Sequence, residues 1–180
     1  MSNQITAKLA NWKNGLYSAD FETIKKTIDD IYDNGNTQII SDVLSVYKGY
    51  IGTEIENYFY SFLVCIKSKD FPSILIHHIK DKKFSKIKSN LLSICWESTL
   101  DFSDFSDTFI DIFIKEPINI AFEAFTVVQN SFNISEDNLK KGILKLELSV
   151  SSISQDKKEL LVELVHDFKQ KLNLIEQKKL

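Results

Sequence analysis

At 180 residues with 43% hydrophobic side chains, the chain is long enough for one domain with a substantial core and too apolar for a disordered segment. Two prolines and five glycines leave little for β-turns or phosphate-cradling loops, so the class expected is all-α. All 22 basic residues are lysine and the formal net charge is -3, which removes the forked donor suited to phosphate and guanine and weakens a general role on nucleic acid or anionic membranes.

The amino-terminal stretch MSNQITAKLANWK has no basic region followed by an apolar run, so no secretory leader is expected. No later segment holds about 18 uninterrupted apolar residues, the length of a membrane span. Ile5, Leu9 and Trp12 predict a first short helix ended by Asn14 and Gly15. Ser18 or Asp20 is placed to cap the next helix, whose apolar face is Phe21, Ile24, Ile28 and Ile31, with Gly35 as its left-handed stop. A helix over Thr37 to about Tyr50 follows. Gly49 and Gly52 bracket the turn into Thr53, which has Glu56 three residues on, the spacing of a capping box.

From Thr53 to Phe132 the chain repeats itself. Ile55, Phe59, Phe62 and Leu63 lie over Ile87, Leu91, Ile94 and Cys95, and these over Ile118, Phe122, Phe125 and Thr126, at offsets of 32 and then 31 residues. Each set occupies i, i+4, i+7 and i+8, one face of a helix. Val43, Leu44 and Tyr47 precede the first set, Leu75, Ile76 and Ile79 the second, and Phe109, Ile110 and Phe113 the third. A unit of two short helices therefore recurs, and self-similarity at 20 to 50 residues marks units that bury their apolar faces by stacking. Pro72 falls in the first turn of a helix over Phe71 to Ile79, and Pro117 does the same for Ile118 to Gln129.

The stretch FIDIFIKEPINIAFEAFTVV, Phe109 to Val128, has an apolar helix, a tight turn, and a second helix whose Ala121 and Ala124 permit close approach. In this the chain resembles the HEAT-like repeat family of α-solenoids. The resemblance implies a right-handed superhelix of about five stacked antiparallel helix pairs, in which second helices line a surface used to bind other proteins. The expected division is a single helical-repeat domain over 1–180, with N-terminal helices and cap at 1–52, the best-defined repeats at 53–132, and C-terminal helices and cap at 133–180.

Towards the C-terminus, Ser135 with Asn138 predicts the start of a helix carrying Leu139, Ile143, Leu146 and Val150. The last helix runs from Ser154, with Leu161, Leu164, Phe168 and Ile175 stepping by 3, 4 and 7. Such a seam suits a cap on the last repeat, the preferred reading, or a dimer through 154–178; Lys171 interrupts it, and a monomer is favoured. The terminal EQKKL is expected to fray.

Residues with chemistry are few. Cys65 and Cys95 read as reduced, core-packed side chains, which agrees with a cytoplasmic location. His77 and His78 are adjacent on a helix and point about 100° apart, so they do not share a metal. In LDFSDFSD, Asp101, Asp104 and Asp107 offer oxygens to a cation, but Ser103 or Asp104 as cap of a helix entering at Phe105, with Asp107 near its positive end, is the better reading. The run KDKKFSKIK brings Lys80, Lys82, Lys83, Lys86 and Lys88 about one turn, read as a solvated turn before a basic patch.

No catalytic set, metal site or cofactor is expected. The function expected is a non-enzymatic protein-interaction module, a scaffold, adaptor or inhibitor. Its binding residues, carried over from the family's architecture, are the non-core positions Glu56, Tyr60, Lys88, Trp96, Glu97 and Glu123. The alternatives are a nucleic-acid-binding protein like the HEAT-like DNA-repair glycosylases, and a small helical metal protein or enzyme built on Asp101 to Asp107 or the histidine pair.

Overall fold

Helix follows helix along the chain. The computed structural model describes residues 2–35 and 37–178, and among these it contains ten α-helices and no strand. They are α1 (Ser2–Leu16), α2 (Phe21–Asn34), α3 (Ile40–Tyr47), α4 (Glu56–Val64), α5 (Phe71–Lys80), α6 (Lys88–Glu97), α7 (Ser106–Lys115), α8 (Ile118–Gln129), α9 (Glu136–Ser149) and α10 (Lys158–Gln177). Short 3-10 turns precede α3, α6, α7 and α10. The all-α class follows. Among the described residues no helix is long and apolar enough to cross a membrane.

Two units are distinguished by their internal contacts. The first runs to Ile87 and takes in Glu97–Thr99; the second comprises Lys88–Trp96 and the chain from Leu100 on. Within the first, α1 packs on α2 and α3, α3 on α4 and α5, and α2 on α4. Within the second, α7 packs on α8 and α9, and α10 on α9 and α8. Sequential neighbours thus pair in each unit, and alternate helices lie beside one another.

The core residues are those the periodicity picks out, with instructive exceptions. Val43, Leu44, Tyr47, Leu75, Ile76, Ile79, Phe109, Ile110 and Phe113 are all buried, as are Ile55, Phe59, Phe62, Leu63, Ile87, Leu91, Ile94 and Cys95. Full burial of one such aliphatic or aromatic side chain stabilises by about 1.5–3 kcal/mol. The third stripe is different. Ile118 and Phe122 are exposed, while Ala121, Ala124, Phe125, Val127 and Val128 face inward. Ala121, Ala124 and Phe125 each follow Leu91, Ile94 and Cys95 by 30 residues, so the register is one residue shorter than the aromatic spacing implies. Small residues let α8 lie close to α7, and the bulky Phe122 turns outward.

Several local expectations are likewise corrected. The first helix passes through Asn14 and Gly15 to the buried Leu16, because a Cβ on Gly15 would stand 2.1 Å from Thr27 Oγ1: the glycine permits close packing and is no stop. Asp20 caps α2, accepting the Thr23 N–H at 2.9 Å. Gly35 ends α2 with extended backbone (φ -78°, ψ 171°), not a left-handed one; its N–H returns to the Ile31 carbonyl, where a Cβ would lie 2.3 Å from the oxygen. The left-handed position is Gly52, at φ 79°. Thr53 forms no capping box: α4 starts at Glu56, and the Glu56 carboxylate accepts the Gly52 N–H at 2.6 Å. Pro72 sits in the first turn of α5, whereas Pro117 is the residue just before α8.

Ser135 caps α9 through the Asn138 N–H. The inner side of α9 is Leu139, Gly142, Leu146 and Ser149; Ile143 is half-buried and Val150 exposed. Gly142 faces Phe168 and Ile110, and a Cβ there would stand 2.5 Å and 2.8 Å from their side chains. Leu161, Leu164 and Phe168 of α10 are buried within the chain, with Ile175 half-buried. Lys171 interrupts the seam because its ammonium is directed to the Gln129 and Ser131 carbonyls at the end of α8 and to the Asp167 carboxylate. Helix α10 keeps its form to Gln177; Lys179 and Leu180, in the stretch expected to fray, lie outside the described residues.

Candidate functional site

The six side chains expected to line a binding face fall into separate arrangements. In the first unit, Tyr60 on α4 donates its hydroxyl to Glu97 at 2.6 Å. Glu56 closes the turn at Gly52, and its carboxylate is engaged there. In the second unit, Trp96 on α6 donates its indole N–H to Glu123 on α8 at 2.8 Å, and the Ser93 hydroxyl donates to the same carboxylate oxygen at 2.8 Å. Lys88, at the start of α6, forms an ion pair with Glu116, the residue that ends α7. The structure therefore joins Tyr60 with Glu97 and Trp96 with Glu123, and gives Glu56 and Lys88 local structural work.

Interhelical hydrogen bonds recur between even-numbered helices. In the first unit Tyr58 of α4 donates to Asp29 of α2, which pushes the phenol pKa up to about 12. In the second unit Gln129 of α8 donates to Glu163 of α10 at 2.6 Å. In each of these pairs, and at Glu97 and Glu123, a neutral donor meets a carboxylate.

Beside Glu123, α8 carries the side chains that the spacing misplaced. Ile118 is 37% and Phe122 50% exposed, one turn apart on the same side. Trp96 is 38% exposed. The sequence INIAFEAFTVVQ holds a single charged residue, Glu123, and no lysine, in a chain with 22 of them. Its polar side is otherwise neutral, made by Asn119, Thr126 and Gln129, so the exposed Ile118 and Phe122 flank a side with one charge. That signal lies in the sequence, in a helix with a single charged residue.

The remaining candidates resolve as follows. Lys80, Lys82, Lys83 and Lys86 are exposed on the end of α5 and the 3-10 turn Lys82–Ile87, anchored by the buried Phe84 and Ile87. His78 is buried, its Nδ1 2.8 Å from the Ile74 carbonyl oxygen and its ring against Phe84, while His77 is exposed. Cys95 is buried and burial pushes its thiol pKa well up, but Cys65 is exposed at the end of α4, contrary to the expectation of core packing. In the acidic loop neither Ser103 nor Asp104 caps α7. Asp101 instead accepts the Ser103 N–H at 2.9 Å and Asn133 Nδ2 at 2.8 Å. Burial opposes the charged form of Asp101, and the hydrogen bonds from Ser103 and Asn133 outweigh it, holding its pKa below the ordinary value. Asp107 pairs with Lys145 at 2.6 Å. Among the described residues no three His, Cys, Asp or Glu side chains converge to hold a metal ion.

A groove of about 610 Å³ in the first unit is lined by the ends of α2 and α4, including Ile31, Tyr32, Phe62 and Cys65, and by Ile40, Ser68 and Asp70. Sequence reading missed it, since its walls come from two separate stretches of chain, 31–40 and 62–70.

Also missed was Lys157, 4% exposed, whose ammonium is held by the carbonyls of Phe113, Ile114 and Glu116 at 3.0, 2.8 and 2.9 Å. It terminates α7 as Lys171 terminates α8.

Against models of known protein families, curated proteins and solved structures, the chain gives no significant match.

Proposed function

We propose that this chain is a non-enzymatic protein-interaction module acting in the cytoplasm, built as a HEAT-like α-solenoid whose second helices present the docking face. The side-by-side packing of α2 with α4 and of α8 with α10 supports the repeat reading, as do the hydrogen bonds that run between those helices. One observation carries the binding reading: α8 exposes Ile118 and Phe122 on a helix with one charge. An exposed apolar side beside a polar rim is the usual form of a docking surface.

One rival apolar side is on α9, where Leu144 and Leu148 are exposed. There Lys140, Lys141 and Lys145 share the helix with Glu136, Asp137 and Glu147, so α9 carries the charges that keep a water-facing helix soluble. Capture of binding proteins from extracts of the native cell tests the proposal. A Phe122→Glu variant should lose a discrete protein that wild type and Leu148→Glu retain. Identical sets from all three would sink it.

A further inference from the structure

The α8 face also has a definite charge preference, and we infer that its occupant is an amphipathic helix of another protein carrying lysine or arginine beside its apolar stripe. This inference rests on the docking role proposed above for the same face. Ile118 and Phe122 are i, i+4, about 6 Å apart along the axis at 1.5 Å per residue, a spacing that matches the apolar rows of a second helix.

The carboxylate next to that pair is the informative part. Glu123, the residue after Phe122, takes its hydrogen bonds from Ser93 and Trp96. These donors are neutral, so the negative charge stays uncompensated by them. Other carboxylates of this unit hold lysines: Glu116 holds Lys88, Asp107 and Asp111 hold Lys145, Glu136 holds Lys140, and Glu147 holds Lys169. The apolar pair thus sits beside an anion that no lysine of α8 answers, because α8 has none. A cationic side chain from the partner satisfies both Glu123 and the half-exposed face of Trp96, the latter by cation–π attraction. A second copy of this chain is the poorer occupant. A two-fold contact on this face brings two copies of the same patch together, with a Glu123 on each and no lysine on either α8, and the chain as a whole carries -3.

The test uses the full chain and two synthetic helical peptides with the same leucine stripe, one flanked by lysines and one by glutamates. Binding is read by anisotropy of the labelled peptide. The lysine peptide should bind, weaken with added salt, and lose about two- to fivefold in affinity on Glu123→Gln, the worth of one rim charge. The side-chain amide introduced by Glu123→Gln keeps a hydrogen-bond acceptor for Ser93 and Trp96, so folding is not at issue, and circular dichroism checks it. The glutamate peptide should bind at least about tenfold more weakly, as like charges oppose docking.

Equal binding of both peptides, abolished by Phe122→Glu, overturns the charge preference and leaves the docking role standing. Binding of neither peptide, with Phe122-dependent capture from extracts intact, overturns this inference alone; if that capture fails too, both fall. A concentration-dependent dimer that Phe122→Glu dissolves assigns the face to a second copy and also overturns it.

Discussion

Replacing Lys157 by methionine removes an ammonium and keeps the aliphatic stem, and it leaves three carbonyls at the end of α7 without their donor. A hydrogen bond to a charged group contributes about 1.5–3 kcal/mol, and a buried acceptor left unpaired costs about 1–3 kcal/mol. Against this stands the several kcal/mol spent in taking an ammonium out of water, which the variant recovers. With three acceptors stranded and one burial cost recovered, the net loss expected is about 3 kcal/mol, or about 6–12 °C in Tm at 2–4 °C per kcal/mol for a chain of this size. Urea denaturation followed by far-UV circular dichroism measures it. A methionine variant as stable as the wild type would refute the reasoning, by showing that the ammonium recovers no more than its burial costs. Burial also pushes the Lys157 pKa below 10.5, with Asp156 and Glu116 opposing the shift. The unfolded chain therefore binds more protons between the lowered pKa and 10.5, and the wild type should gain stability relative to the methionine variant as pH rises through that window.

Gly142→Val should cost about 1–3 kcal/mol, because its Cβ alone would stand 2.5 Å from the Phe168 ring; a variant at or above wild-type stability in the same urea assay would show that α9 and α10 are not so closely packed. Tyr58 should titrate near pH 12 in an ultraviolet difference titration against Tyr58→Phe, and Asp29→Asn should bring it towards 10. Since its folded pKa is raised, the folded chain binds more protons between 10 and 12, and the stability this bond contributes should fade as pH rises through that interval. An unshifted Tyr58 would remove the α2–α4 bond from the account. Lys171→Met should destabilise less than Lys157→Met, since Lys171 is half-buried and water can replace it at the end of α8.

The parts of this fold that are legible in the sequence are those where large aliphatic and aromatic residues mark the inner side. Val43, Leu75 and Phe109 with their followers announce α3, α5 and α7, and all are buried. The stripe on α8 is misread for the same reason: size is the usual mark of the core, whereas at α8 the close approach selects Ala121 and Ala124 and turns Phe122 out. Glu123 and Trp96 are identifiable from their place beside the stripe, but their bond to each other needs α6 and α8 in register, which no local pattern encodes. Lys157 is illegible altogether. A lysine reads as solvent-facing, and its acceptors lie 41 to 44 residues away in sequence.

Whether the exposed side of α8 is a docking surface is tested most directly by placing a photo-crosslinking side chain at position 122 and, as a control, at position 148 on α9, where Leu148 is the more exposed residue at 73%. Irradiation in the native cell should give one discrete adduct with another protein from position 122, diminished by Glu123→Gln, and none from position 148. The same adducts from both positions, or none from position 122, would contradict the account.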